Sequence, residues 1–167
     1  GGVTGGLIYE FNGSQGKRLS LKHSFSGAEG RAQHTAVCCD KEAAVVAMGG
    51  SDGKVVLTSS DGKYEVQKTA SGKSCVWDVG EEVRSIAYMQ SASGAGTVVC
   101  GTVEGSIIGI DRETGEKTHY NRGHGHMREK STLYSGELWG LAIHPGQKLY
   151  ATVGQDRAIC IYDIESH

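Results

Sequence analysis

Two histidines that flank a single glycine, His124 and His126, have the residue types and spacing that come closest to a metal site. A structural zinc site uses four protein ligands and a catalytic one uses three. No cysteine pair with CxxC spacing is available to supply the remaining ligands. We therefore favour one structural histidine and one loop histidine, and we predict neither a metal nor any other cofactor.

The stretch ASGKS at residues 70–74 ends like a phosphate-binding loop. That motif needs a glycine five places before Gly72, where this chain has Gln67. The sequence also lacks a Ser-His-Asp order with a strained nucleophile turn. We therefore predict no catalytic residues and no enzymatic activity.

The cysteines are five in number and three of them, Cys38, Cys100 and Cys160, lie inside apolar runs. An odd set with this placement indicates buried free thiols in a reducing compartment.

The formal net charge of −2 argues against a broad surface for nucleic acid. No apolar run approaches the roughly 20 residues that span a bilayer. We expect neither nucleic acid nor a membrane as a partner.

An internal repeat organises the chain. Asp52, Glu104 and Asp156 recur at intervals of 52 residues, and each precedes a short β-branched run. The opening GGVTGGLIYEF fits the same frame, with Leu7 aligned with Val55. The 26 glycines, against 1 proline, are typical of many short strands joined by tight turns. A unit of about 50 residues with four strands indicates a blade of a β-propeller.

The repeat predicts an all-β fold of about three and a half blades. Residues 1–25 end one blade, 34–69 and 83–121 form two more, 122–136 form an inserted loop, and 137–163 supply the inner strands of a last blade. The first two strands of each unit are almost wholly apolar, so we expect them to be covered on both faces. We expect a segment of a larger ring, usually of seven blades, completed by the rest of its own propeller or by a second copy. The predicted strands are 34–39, 43–48, 54–59, 63–69, 83–88, 96–101, 106–111, 116–121, 137–143, 148–153 and 158–163.

The residues GELWGLAIHP, followed by LYATVGQDRAICIYD, resemble a recurring signature of the echinoderm microtubule-associated protein-like family, whose propellers are built from WD repeats. The preceding stretches GGSDGKVVLTSSDGKYEV and EEVRSIAY…TVVCGTVEGSIIGID are similar to the two blades before that signature, so the resemblance covers about residues 1–163. The Trp-Asp pair that names the repeat is absent from the third strands. Trp77-Asp78 stands out of register, before an inner strand.

The resemblance also implies a hydrogen-bonded network within the last blade. In WD blades a histidine, an aspartate, a serine or threonine and a tryptophan form this network. Here the matching candidates are His124 or His126, Asp156 and Thr152, with Tyr162 in the tryptophan place. Trp139 lies in an inner strand, where we expect core packing.

A longer connection than the family's separates the Gly-His pair from GELWG, and it holds Arg128, Lys130 and Tyr134. One interpretation is a tolerated surface loop. The other is a contact with a partner, because arginine and tyrosine are enriched at binding hot spots and the surface of tubulin is acidic.

The resemblance implies a non-catalytic scaffold that binds tubulin, microtubules or other structural proteins, in the cytoplasm on the cytoskeleton, with the axoneme or cilium as one location. Two alternatives stay open: a general protein-interaction adaptor without tubulin binding, and, from another class, a propeller hydrolase.

Overall fold

The computed structural model describes residues 7–12, 18–24, 33–40, 42, 44–90, 96–122, 124, 128–129, 132–133 and 136–164. These residues form β-strands and turns, and no helix among them could cross a bilayer. The strands are β1 Leu7–Asn12, β2 Arg18–Ser24, β3 His34–Cys39, β4 Val45–Gly50, β5 Lys54–Ser59, β6 Val76–Asp78, β7 Val83–Gln90, β8 Gly96–Thr102, β9 Ser106–Asp111, β10 Lys117–Arg122, β11 Arg128–Glu129, β12 Thr132–Leu133, β13 Leu138–Ile143, β14 Leu149–Gly154 and β15 Ile159–Asp163.

The strands pair with their sequence neighbours into antiparallel sheets. Blade I has the order β3-β4-β5-β6, blade II has β7-β8-β9-β10, and blade III has β13-β14-β15. The pairs β1-β2 and β11-β12 are separate hairpins. Tight turns between short apolar runs favour this antiparallel pairing within the first three strands of each blade, whereas a longer connection separates β5 from β6.

Each blade packs one face on the next blade in the chain. We call the face that meets the following blade the forward face, and the face that meets the preceding blade the rear face. The forward face of blade I buries Ala47, Val55 and Leu57 in one core with Ile86 and Ile108 from the rear face of blade II. The inner strands β3, β7 and β13 are neighbours in this stack, as in a propeller.

On the forward faces of blades I and II, a glycine leaves a notch that receives the first residue of the next blade's first strand. A Cβ on Gly49 would lie 2.3 Å from Cγ1 of Val83, which begins β7. A Cβ on Gly101 would lie 2.4 Å from Cδ2 of Leu138, which begins β13. The two blade junctions therefore use the same close approach, which only glycine permits.

Side-chain hydroxyls fasten the same two junctions. Thr35 Oγ1 donates to the carbonyl of Val83, and Ser85 Oγ donates to the carbonyl of Leu138 over 3.1 Å. In both cases the acceptor is the first carbonyl of the following inner strand, so each hydrogen bond fixes one blade against the next.

The predicted positions of the inner strands agree with the structure, but the fourth strand of blade I does not. The sequence favoured residues 63–69, whereas the outer strand is β6, in which Trp77 pairs with Val55 of β5. Within the predicted range, Val66 forms a bridge with Thr58 of β5, and the amides of Ser59 and Gln67 donate to the carbonyls of Glu65 and Leu57. A further bridge joins Lys68 to Ser74 before β6 begins. The Trp-Asp pair thus lies in an outer strand, and the Trp77 side chain is buried in the core between blades I and II.

The prediction that the inner strands are covered on both faces is wrong at the two ends of the stack. Val37 of β3 is 68% exposed, and Val153 of β14 is 40% exposed. Trp139, predicted to pack in the core, is 58% exposed, and its Nε1 donates to Glu137 Oε2 over 2.9 Å. The faces that carry Val37 and Val153 have no neighbouring blade among the described residues.

The five cysteines are free thiols. Cys75 and Cys100 are buried, Cys38 and Cys160 are half-buried, and Cys39 is exposed. Burial, with a smaller effect of the Glu81 carboxylate, raises the pKa of Cys100 to about 12. That thiol therefore stays neutral at physiological pH and behaves as a small apolar side chain.

Candidate functional site

Three of the residues predicted for the blade network meet around one imidazole. His124 Nδ1 lies 2.7 Å from Asp156 Oδ1, and His124 Nε2 lies 2.9 Å from Thr152 Oγ1. In the tautomer that carries its proton on Nδ1, the ring donates a hydrogen bond to Asp156 and accepts one from the Thr152 hydroxyl at Nε2. Both nitrogens of a ring with no exposed side-chain surface are thus satisfied.

Blade III positions the partners of this histidine. Thr152 lies in β14 and is 1% exposed, and Asp156 lies in the turn that joins β14 to β15. Asp156 Oδ1 also accepts from the Ala158 amide over 3.0 Å, which fixes the carboxylate within its own turn. A Cβ on Gly154 would lie 2.7 Å from His124 Cγ, so the glycine makes room for the ring.

The predicted insertion is closed at its base by the same histidine. A Cβ on Gly136 would lie 2.7 Å from the carbonyl oxygen of His124, so the two ends of segment 124–136 are in contact. Gln155 N donates to the Glu137 carbonyl over 2.9 Å, which ties the far end to the β14–β15 turn. We call this arrangement the clasp: His124, Gly136, Thr152, Gln155 and Asp156.

The segment beyond the clasp contains a short hairpin. Arg128 pairs with Leu133 and Glu129 pairs with Thr132, as strands β11 and β12. Arg128, predicted as a partner contact, therefore begins this hairpin. Lys130, Tyr134 and His126 lie outside the described residues, so the structure does not test their predicted roles.

Tyr162 lies beside the clasp, in a stack of aromatic rings. It pairs with Tyr150 across β14 and β15, with ring centroids 5.0 Å apart, whereas Cys160 is the residue opposite Thr152. Tyr120 of blade II lies 6.1 Å from Tyr150. Burial, together with a hydrogen bond to Cys160, raises the pKa of Tyr162 above its usual range. The tyrosine in the tryptophan place thus packs blade III on blade II.

Blade II has a different network, which the sequence did not reveal. Thr102 Oγ1 donates to Glu81 Oε2 over 2.5 Å, Ser106 Oγ donates to Glu81 Oε1 over 3.4 Å, and the Ser106 amide donates to Thr102 Oγ1 over 3.0 Å. Glu81 precedes the first strand of blade II, as His124 precedes the first strand of blade III. A repeat alignment places Thr102 opposite Gly154, so no shared residue type signals this network.

The other candidate binding groups are engaged in local structure. In ASGKS, the amides of Gly72 and Lys73 donate to the backbone oxygen and the hydroxyl of Thr69, so these two donors are already occupied. Among the residues that the structure describes, no three His, Cys, Asp or Glu side chains are grouped for a metal ion.

The sequence is similar to echinoderm microtubule-associated proteins, although no protein-family model matches it. The 77 kDa echinoderm microtubule-associated protein of Lytechinus variegatus is 28% identical over 131 residues, which is 78% of this chain and 17% of that protein. The echinoderm microtubule-associated protein-like 2 of Mus musculus is 29% identical over 166 residues, 99% of this chain and 22% of that protein. The echinoderm microtubule-associated protein-like 3 of Homo sapiens is 50% identical over 34 residues, which is 20% of this chain and 4% of that protein. The chain thus spans about a fifth of the mouse relative's length.

The fold is similar to that of a chain in the crystal structure of the mitotic checkpoint complex, with a TM-score of 0.68 at 16% identity, over 97% of this chain and 43% of that one. At this identity the likeness shows the propeller fold alone. The fold likeness agrees with the blade repeat found in the sequence. The chain is thus an all-β segment of a WD-repeat-type propeller, similar over most of its length to echinoderm microtubule-associated proteins.

Proposed function

We propose that the chain is a non-catalytic scaffold that associates with microtubules. The observation that carries this proposal is its similarity, over 78–99% of its length, to proteins named for microtubule association. The cytoplasm and its cytoskeleton are the location that follows, and the axoneme or cilium is one place to look for it.

The mechanism is rigid display of the inserted segment. The clasp holds both ends of segment 124–136 on the turn of a packed blade, so the hairpin projects from a fixed base. Because its two ends are held together, the segment has less conformational entropy to lose when it binds a partner. Arg128 and Lys130 would supply positive charge, and Tyr134 an aromatic contact, toward an acidic protein surface.

The burial of the clasp favours a structural role over catalysis. Thr152, His124 and Asp156 have the order of contacts of a nucleophile, a base and an orienting acid. A nucleophile must reach its substrate, but the Thr152 side chain is buried and its hydroxyl is committed to His124. A propeller hydrolase would need an accessible nucleophile elsewhere.

A general protein-interaction adaptor without tubulin binding is the second candidate. This candidate rests on the propeller fold, which by itself specifies no partner.

Co-sedimentation of the purified chain with taxol-stabilised microtubules separates these candidates. We expect the chain to pellet at low ionic strength and to be released as salt is raised, because a contact between basic and acidic surfaces is screened. Absence of pelleting at every salt concentration, by protein that is folded by circular dichroism, would contradict the proposal and favour the adaptor.

A further inference from the structure

The first strand of each blade carries a β-bulge near its beginning. The strand register shifts at the same point of β3, β7 and β13, where the extra residues are Thr35, Arg84 and Trp139. A bulge re-aims a side chain relative to the regular strand, and bulges are common beside functional sites. The bulge residues of blades II and III are the large ones, a cation and an indole, which are the side-chain types enriched at binding hot spots.

The bulges lie at the same end of the blades as the clasp. The residue two places before each bulge residue accepts a backbone hydrogen bond, over 2.8–2.9 Å, from the turn between the second and third strands of its blade. The amide and carbonyl pairs are Ser51 with Gln33, Val103 with Glu82, and Gln155 with Glu137. Because Ser85 Oγ donates to the Leu138 carbonyl, the bulges of blades II and III are neighbours.

The exposure of Trp139 follows from its place in the bulge. Leu138 and Gly140 pair with residues of β14, and Trp139 stands between these pairs as the extra residue, outside the rows that form the two faces of the blade. Arg84 has the equivalent place in blade II, which packs against a blade on each side. Even there, 37% of the Arg84 side chain is exposed. A neighbouring blade therefore does not cover a side chain at this position.

The polar groups of both bulge residues are bound to carboxylates of their own blade. Trp139 Nε1 donates to Glu137 Oε2 over 2.9 Å, and Arg84 Nη1 lies 3.2 Å from Glu82 Oε1. An anionic ligand would have to compete with these carboxylates for the same donors. The face of the indole ring is a different kind of surface, because its negative electrostatic potential attracts cations.

The charges around the indole also favour a cation. At the two bulges, Arg84 and Glu82 neutralise each other, which leaves the Glu137 carboxylate at the edge of the ring. Glu104 is exposed in the turn between β8 and β9. A Cβ on the neighbouring Gly105 would lie 2.7 Å from the carbonyl oxygen of the residue before Glu137, so this turn brings a second carboxylate to the same place. We call Glu104, Glu137 and Trp139 the rim site.

We propose that the rim site binds an arginine side chain presented by a peptide segment of a partner protein. The guanidinium stacks on the face of Trp139, as arginine does more often than lysine on aromatic rings. The Glu137 carboxylate accepts from the guanidinium at Oε1 while Oε2 stays on the indole N–H. This partner is opposite in charge to the acidic surface proposed for segment 124–136, so the proposal is independent of microtubule binding.

The two tryptophans of the chain allow a direct test by nuclear magnetic resonance. The probe is a capped Gly-Gly-Arg-Gly-Gly peptide, titrated into the ¹⁵N-labelled chain, and the matched probe carries citrulline, which has the shape of arginine without its charge. We expect the arginine peptide to shift the indole N–H signal of Trp139 to saturation. The signal of Trp77, which is buried between blades I and II, should stay in place. The citrulline peptide should leave both signals unchanged.

Three substitutions separate the rim site from general attraction between charges. Trp139→Leu should weaken binding of the arginine peptide by about 5- to 30-fold, followed by backbone amide signals, because the aromatic face is lost. Glu137→Gln should weaken it by about 2- to 5-fold, the range of an exposed ion pair. Glu116→Gln removes the same charge from an exposed position in the turn between β9 and β10, at the other end of the blade, and should leave the affinity unchanged.

Three results would each overturn the proposal. The arginine peptide could leave the Trp139 signal unmoved at every concentration, the citrulline peptide could bind equally well, or Glu116→Gln could weaken binding as much as Glu137→Gln. Circular dichroism establishes that each variant is folded, and the substituted Trp139 side chain is mostly exposed. Because the microtubule assay uses neither peptide, failure of one proposal leaves the other standing.

Discussion

At the scale of single residues, one histidine joins the inserted segment to the last blade. The His124 ring contacts Thr152 in β14 and Asp156 in the following turn, and its backbone carbonyl lies beside Gly136. Removal of the ring would leave a buried hydroxyl and a half-buried carboxylate without their shared partner. Unsatisfied groups of this kind cost more than the hydrogen bonds themselves contribute.

The substitution His124→Ala should lower the free energy of unfolding by about 2–4 kcal/mol, since two buried hydrogen bonds and the packing of the ring are lost. Urea unfolding followed by circular dichroism measures this change. His144→Ala is the matched control, because His144 is exposed in a turn and accepts only the Gly146 amide, so its effect should stay within about 0.5 kcal/mol. Equal effects of the two substitutions would show that the clasp does not stabilise the blade.

The network residues were predictable only where a known pattern covered them. His124, Thr152 and Asp156 were singled out by resemblance, and the structure brings them together. Glu81 was missed because a carboxylate replaces the histidine and its partners shift along the strand. Trp139 was misassigned because it is the extra residue of a β-bulge, which a local apolar pattern does not show.

At the scale of strands and sheets, hydrophobic patterning determines the first three strands of each blade. Strands β3, β5 and β9 begin and end at the predicted residues, and the others among the first three strands of each blade differ by at most two residues at either end. The outer strand of blade I escaped prediction because an outer strand is short and polar, so its sequence differs little from that of a loop. The junctions between blades depend instead on Gly49 and Gly101, because each leaves room for a side chain of the next blade. The sequence alone does not show which side chain that is.

The glycine notch makes a direct prediction at this scale. Gly101→Ala would place a methyl group 2.4 Å from Leu138 Cδ2 and 2.7 Å from Ser85 Oγ, so blades II and III must move apart. We expect a loss of about 1–3 kcal/mol in the free energy of unfolding, the usual cost of overpacking a core.

Gly146→Ala provides the control for this junction. Its added Cβ would lie 3.9 Å from His144 Cε1, in an exposed turn, so the substitution should be nearly neutral. Thermal unfolding of both variants is sufficient for the comparison. A Gly101→Ala protein as stable as the unmodified chain would show that the junction tolerates separation and that the notch is not a constraint.

At the scale of the whole molecule, the described residues form a stack of packed blades with one inserted segment. The repeat predicted the stack from sequence, because a 52-residue period survives even where single network residues have changed. The position of the insertion on the clasp connects the fold to the proposed contact with microtubules.

Co-sedimentation with microtubules of two forms of the chain tests that connection most directly. In the second form, residues 127–134 are replaced by a Gly-Ser turn, which leaves the clasp residues His124 and Gly136 in place. Thermal unfolding must be equal for the two forms, so that any difference in pelleting belongs to the segment. We predict that the unmodified chain pellets and that the shortened form does not. Equal pelleting by both forms would contradict display of the segment as the mode of binding.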